Sequence, residues 1–490
     1  MSLAIVGRRP ELSLLEEAYS SARAEFVAVY GRQRVGKTFL IREFFARQSD
    51  CLFFQVSGIQ NASAKEQLLE FKKEVIRLFY SNFKGMQFET PKTWLAAFEM
   101  LHDAIALVGG GRKIVLFFDE LPWMAQRKRQ LLNVLDYYWN RHWSSQNNMK
   151  LIICGSAASW IIKNVLNHKG GLHNRVTYRM PIAPFTLSET QAYLKSRGMP
   201  YDQSQTLALY LCIGGIPYYL DRLKKGLSSA QNINQLCFQR AAPLFDEFKN
   251  LFSALFDQNG GHEQIIKVIA AKREGVSRDE IAKALSVQGG TLSVWLQELE
   301  QTGFIQSFIP MGRKYGNYYK IIDEYTLFYL SWIAPLAASG LHTENDSQYW
   351  EEASKMPAFQ AWSGLAFEAV CYKHISNIRK ALNIGGAAIA GTWRFIPGKN
   401  STIPGAQIDL VFDRNDGMVS LCEIKYTSSL FKIDKDYAKV LERKREAYQA
   451  ATKTTKQIVI SMITTYGLAP SDYADDLVFS SCTMDALFAI

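Results

Sequence analysis

Eight residues constrain this chain more than any others. Gly31-Arg32-Gln33-Arg34-Val35-Gly36-Lys37-Thr38 fills every fixed position of the phosphate-loop pattern G-x-x-x-x-G-K-[ST]. The apolar run at residues 25–30 reads as a buried strand, and residues 39–47 continue with helical periodicity. Gly31 and Gly36 let the backbone curl until its N–H groups face phosphate oxygens, helped by the positive end of the following helix. Lys37 is expected to reach the β- and γ-phosphates, and Thr38 to offer its hydroxyl to Mg²⁺. Arg34, Val35 and Phe39 complete the expected nucleotide contacts. The pattern predicts a nucleoside triphosphate site with ATP and Mg²⁺ as cofactors; a chance match in a glycine-containing turn is the bland alternative.

At 490 residues the chain exceeds one ordinary core, so two to four domains are expected. A hydrophobic fraction of 48% beside 21% charged residues is that of a soluble globular protein. No apolar run approaches membrane-spanning length and residues 1–10 lack a signal peptide's apolar stretch, which predicts a cytoplasmic chain with no membrane partner. Seven scattered cysteines form no C-x-x-C pair, which fits a reducing compartment, and no His/Cys cluster has zinc spacing. The net charge of +10 allows a polyanionic partner without requiring one.

Ahead of the loop, Val6-Gly7-Arg8-Arg9 precedes Pro10 and a helical pattern over residues 11–22. This resembles the N-terminal segment of AAA+-type ATPases that lies over the adenine, which implies Val6, Gly7 and Arg8 as nucleotide contacts; any loop before a helix would look similar. A helical region over residues 63–108 is broken at Pro91. Lys113-Ile114-Val115-Leu116-Phe117-Phe118-Asp119-Glu120 then reads as a central parallel strand delivering two acids at its carboxyl edge, the Walker B arrangement. Asp119 is expected to hold Mg²⁺ through water and Glu120 to orient or deprotonate the attacking water; a strand ended by a solvated acidic turn is the alternative. The run at residues 150–154 ends at Gly155-Ser156, where Ser156 is either a polar sensor or a helix cap. In Gly171-Leu172-His173-Asn174-Arg175, Arg175 is either a γ-phosphate contact, in cis or across a subunit boundary, or a surface ion-pair partner.

Gly214-Gly215-Ile216-Pro217 interrupts a helical stretch over residues 203–223. With the phosphate loop, the Phe-Phe-Asp-Glu and Cys-Gly-Ser strands and the Asn-Arg turn, it resembles the prokaryotic STAND-related ATPases of the AAA+ assemblage. The resemblance covers about the first half of the chain. It implies a helical lid with Pro217 near the adenine and a slow switch rather than a fast motor; a homo-oligomer through the ATPase domain is a further expectation, part of the functional reading and not of the resemblance.

Beyond it, an amphipathic pattern over residues 262–274, a capping box at Ser277-Arg278-Asp279-Glu280 and a third helix over residues 291–301 lead to a hairpin-like stretch, residues 304–322. This resembles a winged helix. The third helix carries Ser293, Trp295, Gln297, Glu298 and Glu300 and no Arg or Lys, so a packing role is favoured over sequence reading. The basic residues Arg313, Lys314 and Lys320 sit in the wing, interleaved with Tyr315, Tyr318 and Tyr319.

In the last third, residues 357–378 read as a helix carrying Glu368. Strand-like runs at 407–412 and 419–425 present Asp409 and then Glu423-Ile424-Lys425, with Glu423 and Lys425 on one face. The order resembles the PD-(D/E)XK nuclease fold. The resemblance implies Mg²⁺ on Asp409, Glu423 and Glu368, with Lys425 activating or positioning the water. Gln407 stands where many relatives place a further acid, and Lys439 and Arg443 on a helix over residues 435–450 are expected phosphate contacts.

The expected fold is α/β: a parallel-sheet P-loop core over residues 1–185, a helical lid over 186–255, a winged helix over 256–335 and a restriction-endonuclease-like domain over 336–490. The expected function is an ATP-binding and hydrolysing switch controlling a Mg²⁺-dependent phosphodiesterase on nucleic acid, DNA above all. Phage defence or mobile-element control would suit it. The alternatives are a nucleotide-switched DNA-binding protein, or a signalling ATPase, with an inert nuclease-like domain.

Overall fold

A strand that must be covered on both faces needs an unbroken apolar run, and three such runs form the middle of the five-stranded first sheet. The computed structural model describes residues 4–81, 87–107, 111–125, 130–167, 172, 174–239, 241–256, 259–272, 275–287, 289–312, 316–339, 348–398, 401 and 403–489. The chain divides into two compact units, Met1–Pro184 and Phe185–Ile490.

In the first unit, strands β1 (Glu25–Tyr30), β2 (Cys51–Ser57), β3 (Lys113–Asp119), β4 (Met149–Gly155) and β5 (Tyr178–Pro181) pair in parallel in the order β2-β3-β4-β1-β5. Every residue of β4, and all of β3 after Lys113, is buried. One face is covered by rings in near-parallel stacks: Phe71 on Phe98 at 5.7 Å and Phe98 on Phe118 at 5.6 Å. The helical region expected around Pro91 is two helices, Ala64–Phe79, opened by a Ser63/Glu66 capping box, and Trp94–Leu107. This order places β4 between β3 and β1, so their carboxyl ends meet at one edge.

The second unit begins with helices that include Leu187–Ser196, Gln203–Ile213 and Pro217–Leu220. Gly215 is required here: a Cβ on it would stand 2.0 Å from the Phe185 carbonyl oxygen, and the Phe185 N–H donates to the Gly215 carbonyl at 2.7 Å. Next, helices Asn259–Ala270, Arg278–Leu285 and Gly290–Gln301 pack with β6 (Val276–Ser277), β7 (Ile305–Phe308) and β8 (Tyr318–Ile321), an antiparallel sheet in the order β6-β8-β7. The capping box at Ser277 forms as expected, whereas the two-residue β6 leaves no period to read in the sequence. The acids of the third helix are used inside this module: Glu298 meets His262 at 2.8 Å, and Glu300 accepts from the Ser307 N–H at 2.8 Å. Arg313, Lys314 and Tyr315 of the expected wing lie outside the described residues.

The last sheet runs β13-β12-β11-β10-β9, built from β9 (Ile389–Phe395), β10 (Ala406–Asp413), β11 (Met418–Lys425), β12 (Gln457–Thr464) and β13 (Val478–Cys482). β9, β10 and β11 are antiparallel; β12 and β13 join in parallel, after the crossover helix Lys435–Thr452. Helix Pro357–Lys373 ends at His374 and restarts at Ile375, so the single helix expected over 357–378 is two. All seven cysteines are free and buried. Among the described residues no helix is long and apolar enough to cross a membrane.

Candidate functional site

At the carboxyl edge of the first sheet, the loop after β1 bends through glycines at positive φ, +154° at Gly31 and +89° at Gly36, and through Arg34 at 71°. A side chain at Gly31 would meet the Ile182 carbonyl oxygen at 2.2 Å. Lys37 is buried and folds back on its own loop, donating to the carbonyls of Gly31 at 2.9 Å and Arg32 at 2.8 Å. Those carbonyl oxygens stand in for the acceptors an ammonium group of this placement seeks. The Thr38 hydroxyl donates to Asp119 at 2.9 and 3.1 Å, so a hydroxyl and a buried carboxylate from two strands' ends converge. Both are hard oxygen donors of the kind Mg²⁺ takes.

Glu120 follows at φ 48°, a backbone position costly for a residue with a Cβ. Its carboxylate accepts from Ser156 twice, from the N–H at 2.9 Å and the hydroxyl at 2.8 Å. Burial raises the Glu120 pKa, and the nearby Lys37 charge opposes that rise. The helix after β4 has Ala157, not Ser156, at its N-cap, so the Ser156 side chain serves Glu120 and caps nothing.

Arg8 has a place no pattern announced. Its guanidinium is buried and donates to the carbonyls of Val35 at 2.9 Å and Ala183 at 2.7 Å, bracing the phosphate loop against the chain after β5. Val6 and Gly7 lie half-buried beside it, and Phe39 is 41% exposed. Arg175 is exposed beside Asn174, while Gly171 and His173 lie outside the described residues. Pro217 opens a short helix of the second unit. The first unit thus brings together Lys37, Thr38, Asp119, Glu120 and Ser156, and sets Phe39 and Arg175 at its surface.

The second unit gathers the other predicted acids. The carboxylate of Asp409 accepts from the Ile424 N–H at 2.9 Å, and Lys425 stands 3.9 Å from Glu423. The register of β10 against β9 shifts between Ile408 and Val411, so Asp409 sits in a bulge, the irregularity that re-aims a side chain out of a flat ladder. Glu368 faces the same cluster. Burial first, and then the Asp409 charge, push its pKa up to about 7, with Lys320 and Lys425 opposing. Burial and Asp409 raise Glu423 as well, against the pull of Lys444.

Lys444 was not among the predicted contacts. It lies on the crossover helix and donates to both Glu423 oxygens, at 2.6 and 2.7 Å. Its neighbours Lys439 and Arg443 are exposed, Lys439 pairing with Asp436 at 3.2 Å. Tyr372 donates to the Asp409 carbonyl at 2.6 Å and receives Lys320 at 3.1 Å. The donors suit a hard cation in kind, but among the described residues no three His, Cys, Asp or Glu side chains stand at metal-ligand spacing.

Residues 5–223 match the family described as an ATPase domain predominantly from Archaea. An uncharacterized protein of Methanocaldococcus jannaschii is 24% identical over 432 residues, 86% of this chain and 87% of that protein. An uncharacterized ATP-binding protein of the same organism is 46% identical over 39 residues, 8% of this chain and 66% of that protein. Among solved structures, the Walker-type ATPase of Pyrococcus abyssi has a TM-score of 0.46 at 19% identity, covering 66% of this chain and 95% of its own, too distant a likeness to argue from. Residues 5–223 are a P-loop ATPase domain of this archaeal type, and the match runs past Pro184 into the first helices of the second unit.

Proposed function

We propose that the chain is an ATP-controlled, metal-dependent phosphodiesterase acting on nucleic acid. In the first site Lys37 would hold the β- and γ-phosphates, Thr38 and Asp119 would hold Mg²⁺, and Glu120, oriented by Ser156, would align the attacking water. Val6, Gly7, Arg8, Gly31, Arg34, Val35, Gly36, Phe39, Arg175 and Pro217 remain the nucleotide contacts this reading assigns. The residues from 256 to 335 serve as a winged-helix-like coupler, and those from 336 as the nuclease-like domain.

In the second site Asp409, Glu423 and Glu368 would hold Mg²⁺, with Lys444 giving up its hold on Glu423. Bound Mg²⁺ supplies positive charge against the phosphate and makes a bound water more acidic. Lys425 would position the attacking water, and Glu368 would complete the set of acids that hold the cation.

One observation carries this reading. Three acids and two lysines from two strands and two helices of the second unit lie near enough for the Asp409 charge to raise the pKa of both Glu368 and Glu423, with Lys425 and Lys444 paired to Glu423. The test is cleavage of labelled plasmid and single-stranded DNA by the full chain with Mg²⁺, with and without ATP. Cleavage abolished by Asp409→Ala and modulated by ATP is expected; equal cleavage by the variant removes the assignment.

The hold of Lys444 on Glu423 favours a second reading, a nucleotide-switched binding protein with an inert acid cluster. Salt-sensitive DNA binding without cleavage under any divalent metal would select it.

A further inference from the structure

Between the hairpin β7–β8 and the edge strand β9 lies a cavity of about 340 Å³. Phe308 and Tyr318 form one wall, with ring centroids 6.0 Å apart, and Thr392 and Arg394 form the other. Lys272 and Glu280 also line it, paired with each other at 2.5 Å. The Met311 N–H donates to the Thr392 carbonyl at 2.9 Å, so the hairpin is pinned on the sheet edge and the cavity is a built space.

The cavity leads towards the acids. Arg394 pairs in register with Gln407, and Gln407 is two residues before Asp409 on β10. Lys320 ties the two places together: its ammonium is 5.5 Å from the Phe308 ring centre, and it donates to Tyr372, which in turn holds the Asp409 carbonyl. A smaller cavity lined by Lys272, Lys320, Glu368 and Tyr372 lies between them.

Aromatic faces set beside a guanidinium and ammonium groups are the chemistry that stacks a base and follows a phosphate chain. The space falls in the range of small-ligand clefts and is too small for a duplex. We propose that this groove binds a single-stranded nucleic acid, one base between the aromatic wall and Arg394, and passes its backbone by Lys320 to the Asp409 cluster. It rests on reading that cluster as a phosphodiester site, and it adds the strandedness of the substrate and the side from which it enters.

The test is fluorescence anisotropy of the full chain with a fluorescein-labelled oligothymidylate and with a duplex of the same length, in EDTA. The single strand should bind more tightly than the duplex. Arg394→Ala and Tyr318→Ala should each weaken it about tenfold. Arg394→Ala should also flatten the salt dependence by roughly one phosphate contact. Tyr318→Leu, which keeps apolar bulk without a ring, guards against a folding defect and should weaken binding as much. Unchanged affinity in these variants, a preference for duplex, or binding only of an extended peptide at β9 overturns the proposal. Because no metal is present, the two readings fail separately. Normal binding by the groove variants of a chain that cuts removes the groove alone; lost binding in a chain that never cuts removes the hydrolase alone.

Discussion

Lys150 shows what burial does to a single charge. It lies inside β4, 2% exposed, and donates to the Ser21 carbonyl at 2.8 Å and to that of Arg23. Burial lowers its pKa to about 8, with Glu25 pulling the other way. Between that value and the ordinary lysine range the folded chain binds fewer protons than the unfolded one, so this group makes stability rise with pH there. Urea midpoints at pH 8 and 10 should show a gain of about 1–2 kcal/mol in the wild type that Lys150→Met lacks. Lys444 gives a second prediction. Removing it takes the nearest cation off both Glu423 oxygens and leaves the cluster more negative, so Lys444→Met should bind Mn²⁺ roughly tenfold more tightly in calorimetry, about 1.4 kcal/mol. Neither role was legible. Lys150 looked like the start of a strand, and Lys444 is one of several cations on a helix whose rotation only the packed structure fixes. The pairing of Thr38 with Asp119, by contrast, was foreseeable, because each ends a local motif whose chemistry requires the other.

Strands and helices were legible where their own residues set them. The runs around Val27, Leu116 and Ile152 are strands because continuous apolar sequence suits a doubly covered sheet, and Ser63 and Ser277 open helices because their capping partners lie three residues on. The bulge at Asp409 was not, since it depends on how β9 pairs with β10 across a long connection. Glycines divide in the same way. Gly215→Ala would drive a methyl group into the Phe185 carbonyl and should cost about 1–3 kcal/mol in chemical denaturation. Gly260→Ala meets open space in a helix and should stabilise by about 0.5 kcal/mol. Comparable losses at both positions would mean that the approach of residue 185 is not what excludes a side chain at 215.

Within the second unit, one ion pair joins segments that are distant in the chain. Glu324 is 1% exposed, and both its oxygens accept from Lys373 at 2.7 Å; one of them also lies 2.7 Å from where a Cβ on Gly214 would be. The turn before Pro217 and the helix bearing Glu368 therefore share a single buried charge. Lys373→Met strands that carboxylate and should lower the stability of the unit by about 3 kcal/mol, while adding Glu324→Gln should recover most of the loss. A double variant no better than the single would refute this account of the pair. No sequence pattern signals a partnership across 49 positions. The cysteines have a practical consequence. With all seven thiols enclosed, and those of Cys154, Cys212, Cys371 and Cys422 made harder to ionise by burial, the native chain should ignore maleimide reagents. A dye attached to one engineered surface cysteine would then be the single label on the folded chain, with no native residue sacrificed first.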